Sequence, residues 1–520
     1  MSKNTIQIID LFAGPGGLGE GFSSVDRTFQ ILVSAEMDPF AHQTLRLRAF
    51  YRLLSNHAPR QLDDYFAFCN GVSDKPYSSE TEPLWEESGE EALQIVLGSE
   101  DGNARLDGAI KKGLNKEAPW VLIGGPPCQA YSMVGRSRNK GKKDYRPEED
   151  HRHFLYKEYL RIIQQNKPTV FVMENVKGIL SSTVGGKRVF HEILHDLSNP
   201  DAALGASDCG DRYVICSLVT NAQYHHGDDA SKFDAGQFVI RAEDYGIPQA
   251  RHRVILLGIK QSHFETVLAK GPLPLLQKAP VVSVRDVIND LPKLRSTLSR
   301  GGESEKNWDS VIKRHLQGLL SESRGRGDVD LENEFQSTLK AVRRDLSKGS
   351  LRYTWKLSEQ KTGTLDWWYG KNAQLLTVVL NHEARGHMDS DLKRYMYAAC
   401  FAHARGVSPK GHKEFNYAGL APAHENWESG KFADRFRVQV YDRPSTTVVS
   451  HISKDGHYFI HPDPVQCRSL TVREAARLQT FPDNYFFQGN RTQQFHQVGN
   501  AVPPLLAYKI ARIVKEIIEA

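Results

Sequence analysis

The stretch IQIIDLFAGPGGLGEGF, residues 6 to 22, decides the fold of this chain. Its first six residues are mostly apolar and predict a buried strand, the glycines after them predict a tight turn, and the turn leads into a helix that continues through Gly21 and Phe22. A second apolar segment, FQILVSAEMD, follows and contains Glu36 near its end. This order predicts a β-α-β unit at the start of a sheet domain.

Three later segments extend the predicted sheet. WVLIGG (120–125), TVFVMENV (169–176) and RHRVILLGI (251–259) are short, largely apolar runs, and the helical pattern FLYKEYLRIIQQ precedes the second of them. Near-continuous apolar strands that alternate with helices are typical of a parallel sheet covered on both faces. The fold class predicted from these patterns is therefore α/β.

The rest of the chain predicts a second domain and a return to the first. The predicted sheet domain spans residues 1–265, residues 266–440 form a second, smaller domain of long polar segments, and residues 441–520 complete the sheet domain. The last segment ends in an amphipathic helix, because its apolar residues recur every three or four positions from Leu506 to Ile517.

Three shorter segments refine this division. Residues 79–107 are acidic and residues 221–237 contain HHGDD, so both are predicted to be insertions in the sheet domain. The segment VVSVRDVINDLP, residues 281–292, predicts a short helix that closes the first part of that domain.

Composition and charge exclude several classes of protein. The 520 residues are 40% hydrophobic and 25% charged, which is typical of a soluble globular protein. The N-terminus lacks an apolar secretion signal and no apolar run approaches the ~20 residues that span a bilayer, so we expect a cytoplasmic protein with no membrane partner. None of the six cysteines lies in a C-x-x-C pair, which argues against a disulfide framework or a zinc site. The net charge of +5 permits binding to nucleic acid without requiring it.

The segment GGPPCQAYS, residues 124–132, presents a cysteine at the end of a predicted strand. Pro126 and Pro127 fix the backbone that carries Cys128, and ligands bind at strand ends in open α/β sheets. A thiol held in this way suits a nucleophile, because a covalent intermediate requires the attacking atom to be held in line. The alternative is a small buried hydrophobic residue, which is the common role of a free cysteine.

The glycines of the first turn favour a cofactor that carries a nucleoside. Glycine lets backbone N–H groups approach a ligand closely, and Glu36 at the end of the next strand can bind ribose hydroxyls. The spacing departs from G-x-G-x-x-G and the sequence has no G-K-[ST], so neither a dinucleotide nor a nucleoside triphosphate is favoured. The alternative is a turn that needs glycine for packing alone.

Two further motifs place charged side chains at strand ends. Glu174 and Asn175 end a predicted parallel strand, where a carboxylate can hydrogen-bond or protonate a substrate. Arg251 and Arg253 alternate at the start of another strand, so their side chains are predicted to point the same way and to hold a thiolate or bind substrate oxygens. A capping Glu-Asn pair and solvated surface arginines are the alternatives.

In combination, these motifs resemble the DNA (cytosine-5) methyltransferase family, of the bacterial or phage type. The matching segments, in the family's order, are DLFAGPGGLGEGF, GGPPCQAYS, MENVKG, QARHR, RSLTVREAARLQTFPD and QVGNAVPP. The resemblance covers most of residues 5–260 and 445–518. It implies a Rossmann-like, S-adenosylmethionine-dependent methyltransferase sheet domain with a target recognition domain at 266–440. It also implies the activity, which is methyl transfer from S-adenosylmethionine to carbon 5 of a flipped cytosine in a specific duplex DNA sequence, in restriction-modification or epigenetic marking.

The resemblance further implies which residues form the site. Cys128 would add to carbon 6 of cytosine, Glu174 would hydrogen-bond ring nitrogen 3 and the exocyclic amine, and Arg253 with Arg251 would hold the substrate side of the pocket. The residues implied to line the S-adenosylmethionine pocket are Phe12, Ala13, Gly14, Gly16, Gly17, Leu18, Glu36, Pro126, Leu155, Asn500 and Val502. Asp107 is a candidate for the acidic residue that contacts adenine in this family.

Other segments match mobile or structural parts of the family. The basic segment 130–153 resembles the loop that closes over DNA, with Gly135 and Gly141 as candidate hinges and with lysines and arginines that suit phosphates. The final helix is expected to pack beside the N-terminal glycine turn. Arg473 and Glu474 are expected to be structural residues that bridge the two parts of the chain.

The expected partner is double-stranded DNA. The protein is expected to be a monomer associated with the nucleoid through DNA, and a cognate restriction endonuclease is an optional partner that activity does not require. His382 and His387 lack a third ordered ligand, so no metal is predicted. Trp367 and Trp368 are predicted to be core residues rather than wedges between bases.

Three other functions are possible from the sequence. Transfer RNA is the substrate of a subfamily that carries a C-F-T motif, whereas the nearest match here is ACFA at 399–402. A DNA-bound regulator without catalysis is disfavoured by the intact Cys128, Glu174 and arginine pair. A dehydrogenase has a different loop spacing and leaves the PPC motif unexplained.

Overall fold

The structure is a computed structural model that describes residues 5–127, 155–184, 186–207, 210–299, 305–343, 345–355, 363–423, 427 and 435–520. Its strands are, in chain order, β1 (Ile6–Leu11), β2 (Phe29–Glu36), β3 (Ala92–Gln94), β4 (Trp120–Gly124), β5 (Val170–Val176), β6 (Thr183–Val184), β7 (Lys187–Arg188), β8 (Tyr213–Cys216), β9 (Gln223–Tyr224), β10 (Val239–Arg241), β11 (Gln249–Ala250), β12 (His252–Lys260), β13 (Thr297–Leu298), β14 (Gly349–Thr354), β15 (Val378–Glu383), β16 (Gly386–His387) and β17 (Ser445–Thr446).

The described residues also form α-helices. They are, in chain order, α1 (Gly17–Ser23), α2 (Pro39–His57), α3 (Leu62–Asn70), α4 (Glu82–Glu91), α5 (Glu100–Gly113), α6 (Leu155–Asn166), α7 (Val189–Ser198), α8 (Pro200–Ala203), α9 (Gln261–Lys270), α10 (Val284–Ile288), α11 (Glu305–Arg326), α12 (Val329–Ala341), α13 (Asp366–Tyr369), α14 (Asp389–Arg405), α15 (Gly411–Glu414), α16 (Val472–Leu478), α17 (Arg491–Asn500) and α18 (Pro504–Glu519). None of these helices is long and apolar enough to cross a membrane.

The predicted sheet is present, with the strand order β3-β2-β1-β4-β5-β12-β8-β9 and with β10 also paired to β12. The strands from β3 to β5 in this order run parallel, as the sequence predicts. β12 is antiparallel to both β5 and β8, so the sheet is mixed rather than purely parallel. The connections explain this difference. Residues 213–260 contain no α-helix, and parallel neighbours need a crossover that is usually helical.

Two hydrophobic cores cover the two faces of the sheet, because successive residues of a strand point to opposite faces. Ile123 and Val172 lie in one core, and Leu122 and Phe171 lie in the other. The first core also contains α1 and the C-terminal helix α18, and the second contains α5, α6 and α7. The amphipathic C-terminal helix therefore packs on the sheet domain, as the sequence predicts.

Both predicted insertions contribute strands to the sheet. Residues 79–107 contain β3, which pairs with β2 at the sheet edge, and residues 221–237 contain β9, which pairs with β8. Both stretches therefore extend the edges of the sheet, and their assignment as insertions stays a prediction. These strands are three and two residues long, and so short a strand leaves no readable period in a polar sequence.

A separate core lies mainly within the predicted recognition domain, residues 266–440. It is formed by α11, α12 and α14, together with Ile460 and Cys467 from beyond residue 440. The helices α10 and α13 lie inside the predicted range but pack in the core that contains α1. The cores thus cross the predicted domain boundaries, whose positions stay a prediction. Of the two tryptophans predicted to be core residues, Trp368 is buried, but Trp367 is 61% exposed and its prediction is wrong.

A fourth, smaller core joins the two parts of the molecule. It contains side chains of α2, α3 and β15 together with Phe486. Arg352 of β14 donates hydrogen bonds to the carbonyl oxygens of Phe68 (3.1 Å) and Cys69 (3.0 Å) at the end of α3. The antiparallel pair of β14 and β15 is thus fixed to the helices that follow β2.

Candidate active site

The glycine turn between β1 and α1 bends in the left-handed region of backbone space. Gly14 and Gly16 have φ angles of 59° and 96°, which glycine adopts without strain, and Phe12 has a φ of 58°. Gly17 packs so closely against the C-terminal segment that an added Cβ would lie 2.3 Å from the carbonyl oxygen of Val502. The turn therefore needs glycine for its shape and also for its packing.

Glu36 ends β2, and its carboxylate lies against the turn. Its Oε2 accepts a hydrogen bond from the Gly14 N–H, and its Oε1 accepts one from the Asp38 N–H, both at 2.7 Å. Burial raises the pKa of Glu36, and the two backbone donors oppose that effect. Each carboxylate oxygen keeps a second lone pair. Glu36 can therefore still accept hydroxyl groups of a ligand held in the turn.

The C-terminal segment closes the turn from the far end of the sequence. Gly21 of α1 lies against α18, where an added Cβ would be 2.4 Å from the Cβ of Ala507. The hydroxyl of Tyr485 donates to a carbonyl oxygen of the turn. Asn500 is the exposed last residue of α17, and Val502 is buried beside the turn. The structure thus brings together the two ends of the chain that were predicted to form one pocket.

The ends of β4 and β5 lie at the same edge of the sheet, because these neighbouring strands are parallel. An added Cβ at Gly125 would lie 3.1 Å from Oε2 of Glu174. Pro126, the next residue, is buried and Pro127 is half-buried. The Glu174 carboxylate therefore lies against the backbone that leads into Cys128, which itself is outside the described residues.

Glu174 also contacts Arg253, which comes from the antiparallel strand β12. The Nε of Arg253 lies 2.9 Å from Oε1 of Glu174, and these side chains are only 14% and 13% exposed. The N–H of that Nε is not directed at the oxygen, so the contact is an ion pair rather than an aligned hydrogen bond. The guanidinium is held from its other side, since Nη1 donates to the His252 carbonyl oxygen at 2.9 Å. A carboxylate held in this way can accept hydrogen bonds from a substrate.

Arg251 does not join this pair. Its side chain is buried, and Nη1 donates to the carbonyl oxygens of Val448 (2.9 Å) and Gly499 (3.4 Å). The predicted common direction of the two arginines requires one continuous strand, whereas Arg251 lies in the break between β11 and β12. These contacts hold main chain in place, and a direct role of Arg251 on the substrate stays a prediction.

The structure describes only some of the remaining predicted residues. Those outside the described ranges are Cys128 and the segment 130–153 with Gly135 and Gly141. Leu155 is described and begins α6. Asp107 lies on α5 and forms an ion pair with Arg161 of α6 at 2.8 Å, so its carboxylate is already engaged.

Comparison with known proteins agrees with this arrangement. The family model for C-5 cytosine-specific DNA methylase matches residues 66–201 and 229–516. The Type II methyltransferase M.Bpa9945I of Bacillus paralicheniformis is 34% identical over 98% of this chain and 99% of its own length. The chain belongs to the C-5 cytosine-specific DNA methylases.

Further similarities extend over the whole methylase. The Type II methyltransferase M.AgeI of Thalassovita gelatinovora is 28% identical over 98% of this chain and 99% of its own. A solved structure from an E. coli prophage, described as a DNA modification methyltransferase, shares the fold with a TM-score of 0.54 at 19% identity and covers 99% of this chain and 100% of its own. The protein is therefore a DNA (cytosine-5-)-methyltransferase, which transfers a methyl group to carbon 5 of cytosine in DNA.

Two side chains at the turn of this methylase were not predicted as site residues. Asp10 of β1 is fully buried without a well-formed hydrogen bond to the described residues, and burial raises its pKa to about 8. An acidic residue within a mostly apolar strand was the signal in the sequence. Met37 follows Glu36 and is 60% exposed. Its position beside the turn makes it a candidate apolar contact for a ligand, and only its place after Glu36 could have indicated this.

Arg473 and Glu474 of the methylase have the structural contacts that the sequence predicts. Glu474 accepts two hydrogen bonds from Arg468, at 2.6 and 2.7 Å. The side chains of Arg468, Arg473 and Glu474 are all fully buried. Arg473 donates to the carbonyl oxygen of Leu380 on β15 at 2.8 Å and to two carbonyl oxygens after α16. Among the described residues, no group of three His, Cys, Asp or Glu side chains could hold a metal ion.

Proposed function

We propose that this methylase binds S-adenosylmethionine in the turn between β1 and α1. When bound, S-adenosylmethionine supplies a methyl group on a positively charged sulfur. The fit rests on the left-handed glycines, on the free lone pairs of Glu36 and on the C-terminal segment that closes the turn. The residues assigned to this pocket are Phe12, Ala13, Gly14, Gly16, Gly17, Leu18, Glu36, Pro126, Leu155, Asn500 and Val502.

We propose Cys128 as the nucleophile and Glu174 as the group that binds the reacting base. The Cys128 thiolate would form a bond to carbon 6 of cytosine, which increases the electron density on carbon 5 so that it can take the methyl group. Transfer of the carbon 5 proton to water would then leave the electron pair that re-forms the double bond between carbons 5 and 6, and this would break the bond between sulfur and carbon 6 and restore the thiolate. Glu174 would hydrogen-bond ring nitrogen 3 and the exocyclic amine, and Arg253 would hold the carboxylate in position.

One observation carries this assignment. The two oxygens of Glu174 face different partners, because Oε2 lies beside Gly125 while Oε1 lies 2.9 Å from Arg253. Gly125 is three residues before Cys128 in the sequence, and the two prolines between them restrict the backbone. The carboxylate and the chain that carries the thiol are thus adjacent at one edge of the sheet.

The proposed substrate is duplex DNA with a specific target sequence. A cytosine inside a duplex cannot be reached by a thiol, so the base would be flipped out at a cost of a few kcal/mol. Residues 266–440 would read the target sequence in the major groove. We further propose that the protein acts as a monomer on nucleoid DNA in a restriction-modification setting, where a cognate endonuclease is a partner that methyl transfer does not require.

Covalent trapping tests this proposal. Bisulfite sequencing of DNA from cells that express the protein first identifies the target sequence. Duplex DNA with 5-fluorocytosine at that target should then form a stable adduct with the wild-type protein, because fluorine cannot leave carbon 5 as a proton does. Cys128→Ala should form no adduct, and Glu174→Gln should form it about 100-fold more slowly. An adduct with Cys128→Ala would refute the nucleophile, and absence of any wild-type adduct would refute the covalent mechanism.

A further inference from the structure

A buried glutamine links the arginine strand to the C-terminal half of the chain. Gln249 of β11 is four residues before Arg253 and is fully buried. Its Oε1 accepts a hydrogen bond from the Val448 N–H at 2.7 Å. Its Nε2 donates to Oε1 of Gln479 at 3.0 Å and to the carbonyl oxygen of Leu478 at 3.2 Å. The amide of Gln249 therefore uses its oxygen and both of its N–H donors.

A second buried glutamine continues this link. Gln479 is fully buried, and its Oε1 is the acceptor for Gln249. Its Nε2 donates to the carbonyl oxygens of Val498 at 2.7 Å and Ala501 at 3.3 Å. These two carbonyls lie on either side of Asn500. The two side-chain amides in series thus connect β11 to the main chain around a proposed cofactor residue.

Neighbouring contacts leave this junction little room to move. Arg251 donates to the carbonyl oxygens of Val448 and Gly499, so it joins the same two segments as the glutamines. The Thr447 hydroxyl donates to the Ala250 carbonyl oxygen at 2.6 Å. An added Cβ at Gly499 would lie 2.3 Å from a backbone nitrogen of the segment after β17. A shift of one segment would therefore be transmitted to the others.

The choice of amides indicates a role in orientation. Buried polar groups without partners are costly, and apolar side chains in place of both glutamines would remove the hydrogen bonds of the Val448 N–H and of the Val498 and Ala501 carbonyl oxygens. Amides differ from apolar side chains in that their hydrogen bonds fix the direction of the main-chain groups they meet. The groups fixed here lie on the cofactor side, at Asn500, and on the substrate side, before Arg253.

We infer that Gln249 and Gln479 are positioning residues that hold the segment around Asn500 in register with the strand that carries Arg253. Arg251 supports the same register through main-chain carbonyls. This inference rests on the proposed function, because the roles of Asn500 and Arg253 are assigned there. It predicts that these amides affect cofactor binding as well as stability.

The test replaces each glutamine with methionine, which has a similar length and cannot donate a hydrogen bond. The dissociation constant of S-adenosylmethionine is measured by calorimetry on the full-length protein without DNA, together with the melting temperature. Gln479→Met should weaken binding about tenfold, the effect of one net hydrogen bond, because it releases the main chain on both sides of Asn500. Gln249→Met should weaken binding by a smaller factor, since it acts through Gln479. The double variant should bind no more weakly than Gln479→Met alone.

Gln466→Met is the matched control. Gln466 is also a buried amide, which accepts from the Leu294 N–H at 2.9 Å and donates to Asp463 at 3.1 Å, but it contacts neither proposed binding segment. It should lower the melting temperature and leave the dissociation constant unchanged. Unchanged binding by Gln479→Met, or equally weakened binding by Gln466→Met, would show that the amides only stabilise the fold. A wild-type protein that does not bind S-adenosylmethionine would overturn the proposed cofactor site and this inference with it.

Discussion

Replacement of Gly17 by alanine should test how closely the glycine turn packs, independently of the backbone angles of the turn. The added Cβ would lie 2.3 Å from the carbonyl oxygen of Val502, about 1 Å short of ordinary contact. The blocking atom belongs to the main chain and cannot rotate away, so we expect a cost near the upper end of the ~1–3 kcal/mol typical of overpacking. Alanine regains up to about 1 kcal/mol over glycine in a helix. The expected net loss of stability is therefore about 2 kcal/mol.

The same change should weaken cofactor binding. Val502 is a proposed wall of the S-adenosylmethionine pocket, and a displacement of its main chain by about 1 Å would spoil contacts made there. We expect the dissociation constant of S-adenosylmethionine to rise about tenfold or more, which corresponds to at least ~1.4 kcal/mol. Gly17→Ala should therefore lose stability and affinity together.

Two other glycines provide controls for this experiment. Gly108 lies on the exposed face of α5 with no atom within 4 Å of an added Cβ, so Gly108→Ala should stabilise the protein by ~0.5–1 kcal/mol without affecting binding. Gly21 packs on α18 one turn further along α1, with an added Cβ 2.4 Å from Ala507. Gly21→Ala should lose stability like Gly17→Ala, with a smaller loss of affinity.

Urea denaturation and calorimetric titration with S-adenosylmethionine measure both quantities on the same samples. If Gly17→Ala were as stable as the wild type, the close approach of Val502 would be wrong. If it lost stability while its affinity stayed at the wild-type value, the C-terminal segment would not belong to the cofactor pocket.

Three further predictions follow from the described contacts. Burial raises the pKa of Asp10 from 3.8 to about 8, so its contribution to stability is full below pH 3.8 and is lost as the pH rises to about 8. The stability of Asp10→Asn should therefore increase relative to that of the wild type by up to ~1.4 kcal/mol per pH unit in urea unfolding at pH 5 to 8. A difference in stability that stays constant over this pH range would contradict the prediction. Gly125→Ala should push the Glu174 carboxylate away and lower kcat about 10- to 100-fold with little change in melting temperature, so an unaltered kcat would argue against Glu174 as a catalytic residue. Arg352→Met should remove the hydrogen bonds to the end of α3 and cost ~1–3 kcal/mol of stability, and we expect it to raise the KM for DNA but not for S-adenosylmethionine. Equal effects on both KM values would contradict a selective link to the proposed recognition domain.

The sequence predicted those parts of the fold that depend on residues close together in the chain. Largely apolar runs of five to nine residues identified β1, β2, β4, β5 and β12, because strands covered on both faces have few polar positions. Glycine in the first turn was a reliable signal, since Gly14 and Gly16 adopt left-handed backbone angles. Strand ends were equally informative, and they placed Glu36 and Glu174 at the sheet edge where ligands bind.

Features that depend on distant contacts could not be predicted in this way. The direction of β12 depends on connections without an α-helix, and β3 and β9 are too short for a period to be seen. Alternation predicted that Arg251 and Arg253 share a direction, but the break before β12 sends Arg251 to the carbonyl oxygens of Val448 and Gly499. These carbonyl oxygens lie 197 and 248 residues away from Arg251 in the sequence, so the residues around Arg251 do not indicate them.

The return of the chain to the sheet after residues 266–440 explains why these long-range contacts concentrate at the proposed site. Gly17 and Gly21 give α1 a surface without side chains, and α18 fills it, so the first turn is complete only when the last helix has docked. The same C-terminal segment supplies the carbonyl oxygens that Gln479 and Arg251 bind beside the arginine strand. The two proposed binding surfaces, one for the methyl donor and one for the base, therefore share a wall. A contact that positions this wall adjusts both surfaces at once, which is why we expect buried amides here to affect affinity as well as stability.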